Sequence, residues 1–223
     1  MTDKLYSILI AGGAGKTILV GLLATLKISV LAIILGTILG MLVCAMRMSK
    51  SKILSAIARV YISVLRGSPL TMLLMLMYYV IFAKSDIDAT YVAVITFGIN
   101  TAAYVAEMMR SALEGVSKRE SEAAMTLGFS KFQTMRYVVL PQAMHIAKPV
   151  YQSTIINMIQ WTSVVGYVTI TDLTRVINNI SSRTMQPLIM IVTGIILYIG
   201  IAYLVAGIFA LTDLKAKKKV GGK

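Results

Sequence analysis

The chain has 223 residues, 57% hydrophobic and only 14% charged, with a mean hydropathy of +0.80 and a formal net charge of +13. Soluble domains carry about a quarter charged residues, so the shortfall excludes an ordinary water-soluble fold and implies lipid as the solvent for most of the chain. A charge of +13 would by itself suit a nucleic-acid binder; its placement along the chain excludes that class.

Residues 1–16 are expected to form an extracellular or interfacial N-terminal segment, because the apolar run after Lys4 is too brief to serve as a signal peptide. Within it, Gly12-Gly13-Ala14-Gly15-Lys16-Thr17 imitates a phosphate-binding loop. The pattern G-x-x-x-x-G-K-[ST] needs a further glycine where Ile10 stands, and no buried strand precedes it, so no nucleotide site is expected. Five charge-free stretches follow: Ile28–Met46, Gly67–Ala83, Ala89–Ala106, Pro149–Thr171 and Thr184–Thr212. A helix needs about 20 apolar residues to cross a bilayer, and flanking Lys and Arg can snorkel to the interface. Spans are therefore expected near residues 20–46, 60–83, 88–110, 149–171 and 186–211, making a transmembrane domain of 17–212. Barrel strands would alternate apolar and polar residues; these stretches do not. The expected fold class is all-α integral membrane, with about five transmembrane helices.

Five spans divide the remaining segments between two sides. Arg47–Arg66, Glu107–Lys148 and Asp213–Lys223 hold 16 Lys and Arg, and the other three segments hold 6. Short basic loops stay in the cytoplasm, which puts the N-terminus outside and the C-terminus inside. Residues 213–223 become a basic cytoplasmic tail whose Lys215–Lys219 run anchors on anionic lipid. Cys44 is the sole cysteine, so no intrachain disulfide and no cysteine metal cluster forms; the lone His145 is read as structural, and no metal site is expected. Ser63, Ser68 and Ser163 have no His–acid constellation around them, which argues against a hydrolase.

A few polar residues interrupt the spans. Glu107 and Arg110 lie one helical turn apart and are expected to form an ion pair that locks the end of the third span, with Arg66 as a third member; substrate contact is the alternative. Asn100 needs a partner in lipid, either along a translocation path or on a neighbouring backbone. Thr162, Ser163 and Gly166 could line such a path, though small residues also serve close helix packing.

Arg110–Lys148 is too polar to span and still reads as ordered. Ser117-Lys118-Arg119-Glu120 has the form of a capping box opening a helix through Leu127, and Gly128 suits the left-handed turn that ends it. Ser130-Lys131-Phe132-Gln133 is a second such box. It opens a second helix through Val139 that Pro141 is expected to stop near Leu140. Ala123 and Ala124 offer a low surface for close packing by another protein, and Phe129 and Phe132 could fill a partner's pocket. An ordinary connecting loop is the plainer alternative.

Glu122-Ala123-Ala124, Gly128, Val138 and Leu140-Pro141, at these spacings, resemble the EAA motif of ABC importer permeases, with valine where isoleucine is usual. Arg66-Gly67-Ser68-Pro69-Leu70, Ala103-Tyr104-Val105-Ala106-Glu107-Met108-Met109-Arg110 and Thr162-Ser163-Val164-Val165-Gly166-Tyr167 are similar to signatures of the polar amino-acid uptake subfamily. Lys118-Arg119-Glu120-Ser121 and Gln160-Trp161 depart from it. The resemblance implies the type I ABC importer permease fold and a role in amino-acid uptake across the bacterial plasma membrane. It also implies that Glu122, Ala123, Ala124, Gly128, Leu140 and Pro141, within the 117–141 loop, seat on a separate ATPase. The implied partners are that ATP-binding subunit, which would hold ATP and Mg, a solute-binding protein, a second permease subunit that is identical or paralogous, and the amino-acid substrate. This chain itself would be a transport subunit, not an enzyme, and would bind no cofactor. The alternative is an ATP-independent carrier or channel, which would call for internal repeats or intramembrane charge pairs; no convincing repeat is present.

Overall fold

The structure, a computed structural model, describes the backbone of residues 13–220 and the side chains of residues 13–212. Most of the expected N-terminal segment and the side chains of the basic tail lie outside the described residues. Helices α1 (Ala14–Arg47), α2 (Lys52–Gly67), α3 (Leu70–Leu76), α4 (Ala89–Glu114), α5 (Lys118–Thr126), α6 (Lys131–Thr134), α7 (Leu140–Trp161), α8 (Leu173–Thr184) and α9 (Pro187–Val220) account for most of the described chain. Two π-helical turns, Met77–Ile81 and Met135–Val139, and a 3-10 segment, Thr162–Val168, extend α3, α6 and α7. Among the described residues there is no strand. Gly15, Lys16 and Thr17 lie inside the first turns of α1 rather than in a loop.

Among the described residues, three helices are long and apolar enough to cross a bilayer unbroken: Ala14–Arg47, Ala89–Glu114 and Pro187–Thr212. Their exposed faces carry side chains such as Val20, Leu23, Tyr203 and Leu204, as lipid-facing helices require. The other two expected spans are interrupted. Pro69 disfavours helical geometry at the residue before it, and Ser68 is extended at φ −89, ψ 137, so the stretch 60–83 divides into α2 and α3. The stretch 149–171 leaves α-helical geometry at Trp161. The 3-10 segment that follows ends at Thr169, which is left-handed at φ 68.

The chain packs as two compact units. One comprises Ala32–Pro69 and Ile95–Thr154. Its core is Cys44, Ile62, Val105, Ala106, Met109, Ala112, Val116, Val139, Ala143 and Ala147. Small residues dominate because helices in lipid associate through close packing rather than through release of water. The closest approach is between α1 and α4: a Cβ at Gly36 would stand 2.7 Å from Thr101, and one at Gly40 would stand 2.6 Å from Val105 Cβ and 2.9 Å from the Ala102 carbonyl. These glycines form a G-x-x-x-G pair, and Gly98 faces them, receiving Leu35. Cross-helix hydrogen bonds add direction. Tyr61 donates to the Ile99 carbonyl at 2.6 Å, and the Thr37 and Tyr151 hydroxyls share a bond of 2.7 Å.

The other unit comprises the chain up to Leu31, Leu70–Val94 and the chain from Ile155. Its core is Ala14, Ile18, Leu173, Val176, Ile177, Ile180 and Met190. Asp172 caps α8, accepting from the Thr174 and Arg175 amides at 3.1 and 2.9 Å, while the Leu173 amide donates to Thr25 Oγ1. Burial pushes the Asp172 carboxyl above its ordinary range, against the pull of those amides.

Two local expectations are corrected. Ser117 stands at the N-cap of α5 with extended backbone, but its hydroxyl caps nothing. Pro141 does not end the second helix: the run continues from Lys131 through the π turn into α7 and on to Trp161. The Leu140 amide reaches back five residues to Met135, so the widened turn falls just before the proline. Pro141 then takes the second position of the resumed α-helix, where its missing N–H is tolerated.

A side chain at the α1–α4 contact forces the helices apart. Gly40→Ala is expected to lower unfolding stability in detergent by about 1–3 kcal/mol. Gly207→Ala, where a Cβ meets nothing within 4 Å, serves as the reference. Equal melting temperatures for the two variants would show that the glycine contact is dispensable.

Candidate functional site

The segment 117–141 forms a compact helix–turn–helix within its unit. At the end of α5, the Phe129 amide bonds to the Ala124 carbonyl at 3.1 Å and the Gly128 amide to the Met125 carbonyl at 3.0 Å. This pair of bonds is the Schellman motif, and it places Gly128 at φ 91, a conformation natural only to glycine. Ser130 completes a full capping box on α6, accepting from the Gln133 amide while the Gln133 side chain accepts from the Ser130 amide at 2.8 Å. Ala124 and Val139 turn inward and are buried, Val139 against Ala112, Val116, Ala143 and Ala147.

The outward side is apolar. Leu127 is 81% exposed, Phe132 70% and Tyr137 62%, with Phe129 and Met125 also exposed. Of the residues singled out in the sequence, Glu122, Ala123, Gly128, Leu140 and Pro141 lie at the surface of this element. Ala124 does not: it packs into its own unit, so only Ala123 offers the low outward surface. Leu127 and Tyr137 escaped the sequence reading, although apolar residues flanking a glycine turn in a polar segment were the signal.

Glu107 and Arg110 form the expected ion pair at 2.6 Å, with a second bond at 3.1 Å. Glu114, one turn further along α4, completes it by also binding Arg110. Arg66 is not a member. Its guanidinium lies over the Tyr104 ring, 5.3 Å from the centroid.

The four candidate path residues separate. Asn100 is buried and donates to the Leu65 carbonyl at 2.9 Å. That carbonyl would be met four residues on by an amide that Pro69 does not have, so Asn100 repairs the break between α2 and α3. Thr162 is wholly buried and donates to the Ile159 carbonyl. Neither lines the recess or the groove beside the 3-10 segment. Ser163 and Gly166 line the recess, of about 450 Å³, with Thr174, Arg175 and Asn178. Ser163 and Asn178 also line the groove, of about 710 Å³, which includes Gln160, Tyr198 and Tyr203. Arg175 donates to the Gly166 carbonyl at 2.9 Å and Tyr79 to the Tyr167 carbonyl at 2.8 Å, which fixes the 3-10 segment as a wall. Arg175 and Asn178 were missed because 172–183 reads as a loop by charge. Its buried Leu173, Val176, Ile177 and Ile180 have helical spacing, which marks α8.

Residues 32–217 match the family described as binding-protein-dependent transport system inner membrane component. The chain belongs to that family. It is thus a multi-pass membrane permease of the ABC transporter class. The chain is 34% identical over 183 residues to the probable amino-acid ABC transporter permease protein YckA of Bacillus subtilis, covering 82% of this permease and 81% of that one. It is 32% identical to the L-cystine transport system permease protein TcyB of the same species, over 77% and 74% of the two chains. A solved amino acid ABC transporter, crystallised with histidines, superposes with a TM-score of 0.84 at 30% identity, over 93% of this permease and 97% of that chain.

The two serines of the helix–turn–helix make a paired test. Ser130→Ala should cost about 1 kcal/mol of local stability and speed amide exchange across residues 131–134, whereas Ser117→Ala should leave exchange unchanged. Matching exchange in both variants would remove the asymmetry the hydrogen bonds imply.

Proposed function

We propose that this permease forms the translocation path of an ATP-driven importer for an amino acid, and that its 117–141 element seats on a separate ATPase subunit. The observation that supports the coupling role best is the exposed row Leu127, Phe129, Phe132 and Tyr137 on a rigidly capped turn, outside any apolar span. The relatives' names and the superposition on an amino acid transporter support the substrate class.

In this reading the coupling surface comprises Glu122, Ala123, Gly128, Leu140 and Pro141 together with the four exposed apolar residues. ATP and Mg belong to the partner. A solute-binding protein delivers substrate from outside, and a second permease, identical or paralogous, completes the channel. The distribution of basic residues supports a cytoplasmic C-terminus. Ser163, Gly166, Thr174, Arg175 and Asn178 are the groups best placed to meet a polar solute, since they combine a cavity, hydroxyls and a side-chain amide. Closing of the ATPase pair would drive the coupling elements together and switch access from one side of the membrane to the other.

The test is ATPase activity in proteoliposomes carrying the permease, its ATPase and the binding protein, with each amino acid added in turn. Stimulation by one amino acid is expected. Gly128→Asp should abolish it while the permease stays in the membrane, because aspartate cannot hold the turn without strain of about 1–2 kcal/mol. Stoichiometric ATPase binding by that variant would remove the coupling role. An intact complex that no amino acid stimulates would overturn the substrate class alone.

A further inference from the structure

The unit of Ala32–Pro69 and Ile95–Thr154 holds a recess of about 200 Å³ lined by Arg47, Arg59, Ile62, Ser63, Arg66 and Glu107. Three guanidinium groups face one carboxylate, and that carboxylate is already bound by Arg110. Arg47 donates to the Ser55 hydroxyl and Arg66 stacks on Tyr104, so neither gains a counter-charge from these contacts. Among the described ion pairs none involves Arg47, Arg59 or Arg66. Like charges converging near a low-dielectric medium are costly until an anion joins them.

The helix that carries two of these arginines shows what kind of anion fits. Along α2, Arg59, Ser63 and Arg66 recur at helical spacing as one stripe, and Ala58, Ile62 and Leu65 are the buried stripe. A third stripe, Ile53, Ile57, Val60 and Val64, is exposed and wholly apolar, with Ile53 73% exposed. An oxyanion held in the recess therefore sits beside a surface suited to hydrocarbon chains. We propose that this recess binds the phosphate of an anionic phospholipid, with Arg47, Arg59 and Arg66 holding the oxygens, Ser63 donating its hydroxyl, and the acyl chains lying on the apolar stripe. Arginine forks match phosphate oxygens two at a time, and basic pockets between membrane helices are suited to such headgroups. Glu107, tied to Arg110, closes the recess on the α4 side and leaves its net charge positive. The inference does not depend on the transport reading.

The experiment reconstitutes the full chain, with the partners that co-purify, into nanodiscs of phosphatidylcholine with or without phosphatidylglycerol. Native mass spectrometry then counts the lipids that survive extraction. Phosphatidylglycerol should be retained about tenfold over phosphatidylcholine, the ratio that about 1.4 kcal/mol supplies. Arg59→Gln, and Ser63→Glu, which builds a carboxylate into the recess, should each erase that preference, while Lys50→Gln in the neighbouring loop keeps it. Equal retention of the two lipids by the wild-type chain overturns the proposal without recourse to any variant. So does an unchanged preference in both recess variants. Displacement by millimolar inorganic phosphate would assign the site to the free ion, and displacement by an amino acid would assign it to a substrate carboxylate; either result overturns the lipid.

Discussion

Lipid offers no hydrogen bonds, so each carbonyl and amide freed by a break in a membrane helix must be met from within the protein. That constraint explains more of this structure than hydrophobicity does. The chain breaks at Ser68-Pro69, and the Leu65 carbonyl left without a backbone partner is met by Asn100 from α4. It changes geometry at Thr162–Val168, and there Arg175 and Tyr79 take the carbonyls of Gly166 and Tyr167. At the start of α8, Asp172 and Thr25 serve three consecutive amides. These three irregular stretches each come with a named polar side chain. At these three places the polar residues mark where the backbone departs from a plain helix.

The same solvent removes the usual reason for helices to adhere. Water release cannot hold α1 against α4 once both lie in hydrocarbon, so contact area at short range must do so. Gly36 and Gly40 allow backbones to approach to distances that no side chain tolerates, and the surrounding core is rich in alanine. Hydroxyl pairs such as Thr37 with Tyr151 then select one rotation of the helices among several that would pack. Stability and geometry are supplied by different residues here: glycine and alanine give area, and threonine, tyrosine and asparagine give register.

Three of the five expected spans were legible as unbroken helices because uniform apolar runs have one solution in a bilayer. The interrupted two were legible only as apolar stretches, since a charge count does not register the dihedral limits that Pro69 sets or the 3-10 turn around Gly166. The capped turn at Gly128 and the box at Ser130 could be read from local chemistry, as each depends on residues three or four positions apart. Ser117 shares that local pattern and yet its hydroxyl makes no capping bond. Asn100 and Thr162 show the sharper limit. A polar residue in a span has a partner, but whether that partner is a solute or a carbonyl depends on the fold, and here both serve the backbone. The Glu107–Arg110 pair was visible as neighbours on one helix. The stacking of Arg66 on Tyr104 joins two helices, and spacing along the chain carries no information about it.

Exposure means different things on the two kinds of segment in this chain. Tyr203 on α9 is 75% exposed and Leu188 71%, and both belong to a helix uniform enough to lie in hydrocarbon. Leu127 is as exposed, but it sits between Glu122 and Lys131 on a segment whose charges keep it out of the bilayer core. Water would leave its side chain, and those of Phe132 and Tyr137, at a standing cost of about 1.5–3 kcal/mol for each fully hydrated large apolar group relative to burial. The Schellman turn and the Ser130 box fix the backbone on either side of Gly128 that carries Leu127 and Phe132. A capped turn that holds Leu127, Phe132 and Tyr137 outward on a charged segment is the arrangement that the proposed ATPase contact would cover.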